Sequence, residues 1–398
     1  MTADLPVGAG RGLSTRAGQY VSRASGFRAF SPAPLPPNPP VRLDTRLQDL
    51  LSQADRALGR LDGSVTTLPN PDLFVLMYVR KEAVLSSQIE GTQSSLRDLL
   101  EAEAKVFSPP PRSDINEVIN YVHAMNHGLA RLRDLPVSVR LIREIHERLL
   151  RGVRGAHATP GELRRSQNWI GPAGCTLREA AFVPPPPEEI GEALSEWERF
   201  LHGEPPMPEL VKIGLAHAQF ETIHPFLDGN GRIGRLFITF LLTEAGILQK
   251  PVLYISYYFK RHRQAYYEHL QAIRDQGDWE SWLDFFLRGV TEVSNEAAAT
   301  ARRILRLREE YRNAITGHLG RGAANGHKVL ESLFAHPIVT VNEVREQTGT
   351  SYAAANQLVR RLVELEILTE STGQRRNRRF ECRPYIELFS DSPRETGA

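Results

Sequence analysis

The run His224-Pro225-Phe226-Leu227-Asp228-Gly229-Asn230-Gly231-Arg232-Ile233-Gly234-Arg235 gathers an imidazole, a carboxylate, an amide and two guanidinium groups around closely spaced glycines. Glycines let backbone N–H groups approach an anion closely, and a helix N-terminus adds orphan donors and a favourable dipole. An apolar helix ends at the His-Pro step, and a new helix opens with Arg232 and Arg235. Spaced i, i+3, the two arginines share a face near the positive end of that helix, a poor placement unless negative charge sits there. A carboxylate beside such a cradle invites Mg²⁺, which takes one or two carboxylates plus phosphate oxygens. His224 supplies a base that titrates near neutrality.

Spacing excludes the obvious competitors. A P-loop needs Gly-Lys-Ser/Thr, and Arg232-Ile233 stands there instead. An EF-hand begun at Asp228 would need an oxygen ligand at Arg232 and a glutamate at Thr239. His217 and His224 are wrongly spaced for zinc and have no third soft ligand. The bland alternative is a glycine loop joining two helices beside a surface histidine.

The elements that must position this run belong to a chain of 398 residues, too long for one ordinary domain. Hydrophobic residues at 41% and charged residues at 24% exclude a wholly disordered or fibrous chain. With 49 basic and 47 acidic residues the formal charge is +2, so any basic surface is local. Cys175 and Cys382 cannot build a disulfide framework or a multi-cysteine metal site, which fits a reducing compartment. The most apolar stretch, 236–248, is interrupted by Thr239, Thr243, Glu244 and Gly246, too broken to span a membrane. The first 26 residues lack the apolar core of a signal peptide. A soluble, cytoplasmic chain is the expectation.

Apolar periodicity predicts helices over 43–61, 71–89, 95–106, 114–133, 139–150, 187–201, 208–223, 233–246, 261–293 and 295–316. Residues 1–40 close in a proline run and read as an extended arm, and Ser108-Pro109-Pro110-Pro111 is a break. Between helices, 168–183 has two short apolar runs around Gly/Pro and predicts a hairpin. Residues 317–326 are rich in glycine and small residues and read as a linker. Beyond it come a helix over 328–335, a capping box at Thr340 and Glu343, a turn at Gly349-Thr350, a helix over 352–365 and strands at 367–370 and 379–382. That order resembles a winged helix-turn-helix.

The 224–235 run also resembles the signature of the Fic family, matching His-Pro-Phe, any residue, Asp-Gly-Asn-Gly-Arg, two residues, Arg throughout. The resemblance extends from the proline-rich arm through Trp282. It implies transfer of AMP from ATP to protein hydroxyl groups. His224 would then be the general base and Asp228 the Mg²⁺ ligand. Gly229, Asn230 and Gly231 would form the anion hole, followed by Ile233 and Gly234 in the same nucleotide-binding stretch. Arg232 would contact the phosphate tail and Arg235 the γ-phosphate. The hairpin resembles the family's flap, which registers a target by strand addition, although Trp169, Ile170 and Phe182 read equally well as core. Tyr266 and Tyr267 resemble a tyrosine pair at the nucleotide pocket, and as bare residues they too read as core.

Ser86-Ser87-Gln88-Ile89-Glu90-Gly91 closes the second helix, with Ser86 and Glu90 on one face. On its own Glu90 is a helix-end carboxylate that the dipole disfavours. The segment resembles the family's inhibitory motif, which implies that Glu90 pairs with Arg235 and denies it to the γ-phosphate. Near the C-terminus, Arg375, Arg376, Arg378 and Arg379 cluster without an acid in the expected wing, while Asn356, Gln357, Arg360 and Arg361 lie on the expected recognition helix. These suit a DNA-reading surface; the alternative is dimerisation or target docking with the arginines solvated.

The expectation is a mainly α protein: a Fic-type helical core with a β-hairpin flap, plus a C-terminal winged helix. The divisions are an N-terminal region with the inhibitory helix (1–110), a catalytic core (111–300), a helix and linker (301–326) and a winged helix-turn-helix (327–392). The expected activity moves AMP from ATP, with Mg²⁺, to Ser, Thr or Tyr of a protein target or of the chain itself, and is autoinhibited by Glu90. The alternatives are removal of AMP at the same site, or a DNA-binding regulator whose pocket senses nucleotide. Expected partners are ATP, a hydroxyl-bearing protein, a second copy of the chain, and DNA, with no membrane.

Overall fold

A computed structural model describes residues 15–390 except 24, 25, 67, 69, 106–113, 173, 204, 205 and 375. The Ser108–Pro111 break, residues 1–14 of the 1–40 arm and Arg375 lie outside the described residues. In chain order the elements are β1 (Gly18–Ser22), β2 (Arg28–Pro32), α1 (Thr45–Thr66), α2 (Pro71–Ile89), α3 (Leu96–Glu103), α4 (Ile115–Arg131), α5 (Val139–Leu149), α6 (Pro187–His202), α7 (Glu209–Ile223) and α8 (Asn230–Glu244). There follow α9 (Ser256–Arg261), α10 (Arg263–Gln276), α11 (Trp279–Leu319), a 3₁₀ turn (Gly320–Gly322), α12 (Ala323–Leu333), β3 (Ile338–Thr340), α13 (Val341–Thr348), α14 (Tyr352–Glu364), β4 (Thr369–Glu370), β5 (Arg379–Glu381) and α15 (Arg383–Glu387). The chain is mainly helical, as its periodicity predicts, and divides into two compact units.

The first unit takes residues 1–55, 126–245 and 261–289. Its axis is α7, whose residues from Leu210 to Ile223 are buried all round except Lys212. A helix apolar on every face must be enclosed on every face. Two indoles tie neighbours to its backbone: Trp197 Nε1–H donates to the Ala216 carbonyl (2.9 Å) and Trp282 Nε1–H to Gly214 (2.8 Å). Gly214 leaves the room that Leu283 and Phe286 fill.

The second unit takes 56–125, 246–260 and 290–398, and its axis is α2. This helix buries Arg80, Lys81 and Glu82, each with a partner. Arg80 donates to the Ala335 carbonyl (2.9 Å) and pairs with Glu103 (2.8 Å). Lys81 stands 4.5 Å over the Tyr254 ring. Glu82 accepts from the Tyr121 hydroxyl and the Ser256 amide. A buried charge with a partner avoids the several kcal/mol that an isolated one costs. In the C-terminal part β3, β5 and β4 form an antiparallel sheet in the order β3-β5-β4, and the expected Thr340–Glu343 capping box is present.

Four expectations are corrected. Part of the arm is a hairpin, β1 pairing with β2 in the register Tyr20↔Phe30. The hairpin expected over 168–183 reduces to one antiparallel bridge, Ile170↔Phe182, because Gly171, Pro172 and their exposed neighbours form turns without a ladder. The expected 261–293 helix breaks at Gly277, left-handed at φ 69°, after which the Asp278 carboxylate accepts from the Ser281 amide at the start of α11. That helix then runs 41 residues to Leu319, and the 317–326 stretch expected as a linker is helical almost throughout. Ser294 is buried inside α11, so no solvated polar break separates its halves.

Helix α8 lies close to α4 at Gly128, where an added Cβ would overlap the Phe240 ring. Glycine-to-alanine inside a helix normally stabilises by about 1 kcal/mol. Here Gly128→Ala is expected to destabilise by about 1–3 kcal/mol through overpacking, with Phe240→Leu in the same chain recovering part of the loss. Urea midpoints measure both; a more stable Gly128→Ala variant would contradict the close approach.

Candidate active site

The 224–235 run is the reversal between α7 and α8, wholly within the first unit. His224 caps α7 in the left-handed region (φ 49°, ψ 60°), its N–H still bonded to the Phe220 carbonyl (2.9 Å). Pro225 cannot extend the helix and bars the ordinary helical conformation to the residue before it. A non-glycine residue held there costs of order 1–3 kcal/mol unless its surroundings over-determine it. Here they do. The His224 carbonyl accepts from Arg164 Nε (2.9 Å), the Arg164 amide donates to the Pro225 carbonyl (3.0 Å), and Asn168 Nδ2 donates to the Phe226 carbonyl (2.8 Å). Burial lowers the Arg164 pKa to about 10, so this guanidinium keeps its charge at the expense of solvation.

The next turn is clasped by two side chains. Asn230 Oδ1 accepts from the Phe226 amide (2.9 Å) and its Nδ2 donates to the Phe226 carbonyl (2.8 Å). The Phe226 ring stacks on His146 at 3.8 Å and 9°. Gly161 N–H donates to His146 Nδ1 (2.8 Å), which leaves the proton on Nε2 to donate to the Asp228 carbonyl (3.0 Å). Burial pulls the His146 pKa down to about 4, which keeps the ring neutral in this tautomer.

Asp228 exposes 42% of its side chain; Oδ1 accepts the Gly229 amide (2.6 Å) and lies 3.5 Å from Arg232 Nη2. A Cβ on Gly155 would overlap the other carboxylate oxygen, so glycine at 155 makes room for it. Gly229 is left-handed (φ 80°), and no side chain caps the α8 N-terminus that begins at Asn230. The first-turn amides there carry the positive end of the helix dipole. Arg232 and Arg235 are each 1% exposed in the first two turns of that helix. Two buried guanidinium groups at a positive helix end form an arrangement that a polyanion stabilises. Ile233 is buried, and Gly231 and Gly234 are backbone positions; a Cβ on Gly234 would overlap Glu221 Oε1. Among the described residues no group of three or more His, Cys, Asp and Glu could hold a metal. The single Asp228 carboxylate fits Mg²⁺ only where phosphate oxygens complete the shell.

Other expected residues fall elsewhere. Tyr266 is buried, its hydroxyl 2.9 Å from His217 Nε2, and His217 Nδ1–H donates to the Gly234 carbonyl (2.9 Å). It braces α10, α7 and α8 together, and only Tyr267, 42% exposed, faces solvent. Phe182 is core, with the Arg274 guanidinium 3.7 Å from its ring centre, whereas Trp169 is 42% exposed. In the second unit α2 ends at Ile89: Ser86 is fully buried, Glu90 is the half-buried C-cap one turn later, and Gly91 takes φ 99°. Arg379, expected in a free basic wing, instead donates to the Ala104 and Lys105 carbonyls at the C-terminal end of α3, whose orphan acceptors attract a cation. Arg376 is exposed, and Arg378 donates to Asn356 Oδ1 (2.8 Å). The sequence reading missed His146, Gly155, Arg164 and Asn168. A histidine on the apolar face of α5 was their one advance signal, and it does not distinguish a structural imidazole from a ligand.

His224 thus stands one short loop from the N-terminus of α8, whose first two turns carry the buried Arg232 and Arg235. A Fic/DOC family N-terminal model matches residues 48–130, and a Fic/DOC family model matches 136–242. Residues 48–130 and 136–242 are thus the N-terminal and Fic domains of the Fic/DOC family. The chain is 31% identical over 247 residues to a protein adenylyltransferase Fic of Culex quinquefasciatus, covering 55% of this chain and 45% of that protein. It is 29% identical over 253 residues to the namesake of Drosophila yakuba, covering 61% and 46%. The chain thus spans a little under half the length of these curated relatives. A solved Fic family protein from Desulfovibrio desulfuricans G20 shares the fold, with TM-score 0.55 and 19% identity over 86% of this chain and 97% of that one. Among the described residues no helix is long and apolar enough to cross a membrane.

The neutral histidines make acid stability a test of this packing. Burial holds the His217 pKa at about 3 and the His146 pKa at about 4, against 6.5 for the free side chain. As the pH falls below 6.5 the unfolded chain takes up these protons first. The contribution is therefore complete above pH 6.5 and is lost towards pH 4 and 3, at up to about 1.4 kcal/mol per pH unit for each ring. His217→Gln is expected to lower stability at pH 7 yet flatten its decline between pH 6 and 4.5. Urea midpoints along that series decide; an unchanged slope would mean that His217 is charged in the folded state.

Proposed function

We propose that the chain is a protein adenylyltransferase, moving AMP from ATP to a Ser, Thr or Tyr hydroxyl of a protein target or of itself. The observation that carries this reading is the left-handed His224 held one short loop from the uncapped N-terminus of α8. The target oxygen attacks the α-phosphorus as its proton passes to His224, the bond to the β-phosphate oxygen breaks, and pyrophosphate leaves. No covalent enzyme intermediate is required, because the catalytic work is positioning and neutralisation of charge. The turn of Gly229, Asn230 and Gly231 receives phosphate oxygens at the positive helix end, the Gly229 amide exchanging Asp228 Oδ1 for them, and Arg232 and Arg235 take the phosphate tail with Arg235 at the γ-phosphate. The Asn230 side chain, engaged with the Phe226 backbone, shapes the anion hole as much as it lines it. Asp228 would hold Mg²⁺, which when bound neutralises the phosphate tail. The exposed backbone beside the Ile170–Phe182 bridge offers the target an edge to pair with.

The reading extends to restraint. Ser86, Glu90 and Gly91 close α2 in the pattern of the family's inhibitory segment, and a carboxylate at a helix C-terminus is unfavourable unless a cation or a function retains it. Glu90 withholds Arg235 from the γ-phosphate, since a charge-assisted Arg–carboxylate pair is strong enough to compete for it. C-terminally, α12, β3, α13, α14, β4 and β5 follow the order of a winged helix-turn-helix.

Incubation with ATP labelled at the α-phosphate tests both parts. Protein labelling is expected from the α-label and not from a γ-label, to rise about tenfold or more in Glu90→Gly, and to fall at least about 100-fold in His224→Ala in either background. Label arriving from the γ-phosphate would replace adenylylation with phosphorylation. Equal labelling with and without Glu90 would remove the brake and leave the transfer standing.

A further inference from the structure

We propose that α14 and the β4–β5 loop form a binding face for double-stranded DNA, separate from the nucleotide site and independent of the transfer reading. Segments 347–363 and 371–380 contain no aspartate or glutamate and six arginines, in a chain whose net charge is only +2. Two of the six are committed elsewhere. Arg361 donates to the His318 and Leu319 carbonyls at the end of α11, and Arg379 caps α3. Its neighbour Arg378, just before β5, donates instead to Asn356 of α14. Arg360 and Arg376 are exposed, and Arg375 lies outside the described residues.

Between the loop and the helix runs a groove of about 240 Å³, its polar lining including Thr340, Asn342, Tyr352, Asn356, Arg376 and Arg378, with no carboxylate. Helix α14 follows α13 after a turn at Gly349 (φ 67°), and Ala355, Val359 and Leu362 seat it on its own module. The opposite face presents Ala353, Gln357 and Arg360, with Tyr352 54% exposed at its start. Small residues let the helix approach, an amide and a guanidinium can reach base edges, and flanking arginines suit phosphates. The B-form major groove admits such a helix, whereas the deep, narrow groove of A-form RNA does not. Apart from Tyr352 the face lacks the apolar anchors of a protein interface.

The test uses the full chain and fluorescence anisotropy of a labelled 30-base-pair mixed-sequence duplex between about 50 and 200 mM salt. Neutralising three or four phosphates predicts a log–log salt slope of about −3 to −4. Arg360→Ser with Arg376→Ser, both exposed positions, is expected to make that slope shallower by about 2 and weaken binding at least about tenfold, with the thermal midpoint unchanged. Selection from a random duplex pool is expected to enrich a sequence that Gln357→Ala no longer prefers. Undetectable duplex binding at 50 mM salt, unchanged binding by the double variant, or preference for an RNA duplex of the same sequence would each overturn the proposal.

Discussion

The arrangement at the candidate site depends on a single backbone reversal. His224 and Gly229 both adopt left-handed conformations five residues apart, and between them α7 stops and α8 starts. That geometry brings a side-chain base to the threshold of a helix whose amides have no side-chain cap. A longer connection would lose the proximity, and a capped helix would lose the donors. Glycine adopts φ 80° at little cost, but histidine at φ 49° must be held. The hold consists of hydrogen bonds from buried Arg164 and from Asn168 to successive carbonyls of the loop.

Those clamps explain why the polar groups around the motif are buried and neutral where they are able to be neutral. His146 and His217 each sit between a donor and an acceptor, so their tautomers are set and their protons are not free to titrate near pH 7. Arg164 and Arg274 cannot lose their protons at that pH and are satisfied by carbonyls and an aromatic ring instead. Buried charge thus stands at Arg232 and Arg235, where the proposed function places the phosphates, while the histidines of the supporting layer are kept neutral. A charged imidazole beneath Asp228 would add another cation beside Arg232, and burial of His146 prevents it.

Much of this was legible in the sequence, and the limits have physical reasons. The motif could be read because its chemistry is local: residue type and spacing within twelve positions specify both the turn and its donors. Amphipathic helices such as α5 and α6 were placed within a residue by their apolar period. Arg164, Asn168 and Gly155 were not legible, because each acts on residues about 60 to 70 positions away and none carries a local signature. Residues 317–326 looked like a linker from their glycines. Helix packing overrode that weak propensity: Gly326 lies so close to Ile315 and Leu319 that a side chain would not fit. Arg379 was misread for a similar reason, since a wing arginine and a helix-capping arginine look alike until the carbonyls they meet are known.

Unit two joins the proposed restraint to the proposed DNA face through one core. Helix α2, which Glu90 caps, packs Phe74 against Phe334 at 4.9 Å and Tyr78 against Phe389 at 5.2 Å. Its Arg80 reaches the Ala335 carbonyl, and Arg97 of the following α3 pairs at 2.7 Å with fully buried Glu381 of β5. Glu381 lies two residues from Arg379, which caps that same α3, so β5 grips one short helix at two points while Arg378, just before the strand, reaches Asn356 of α14. Well-packed interiors do not deform continuously; a displacement at one end is transmitted or the packing breaks. The helix that Glu90 caps and the strand that borders the proposed basic face therefore share one packed core.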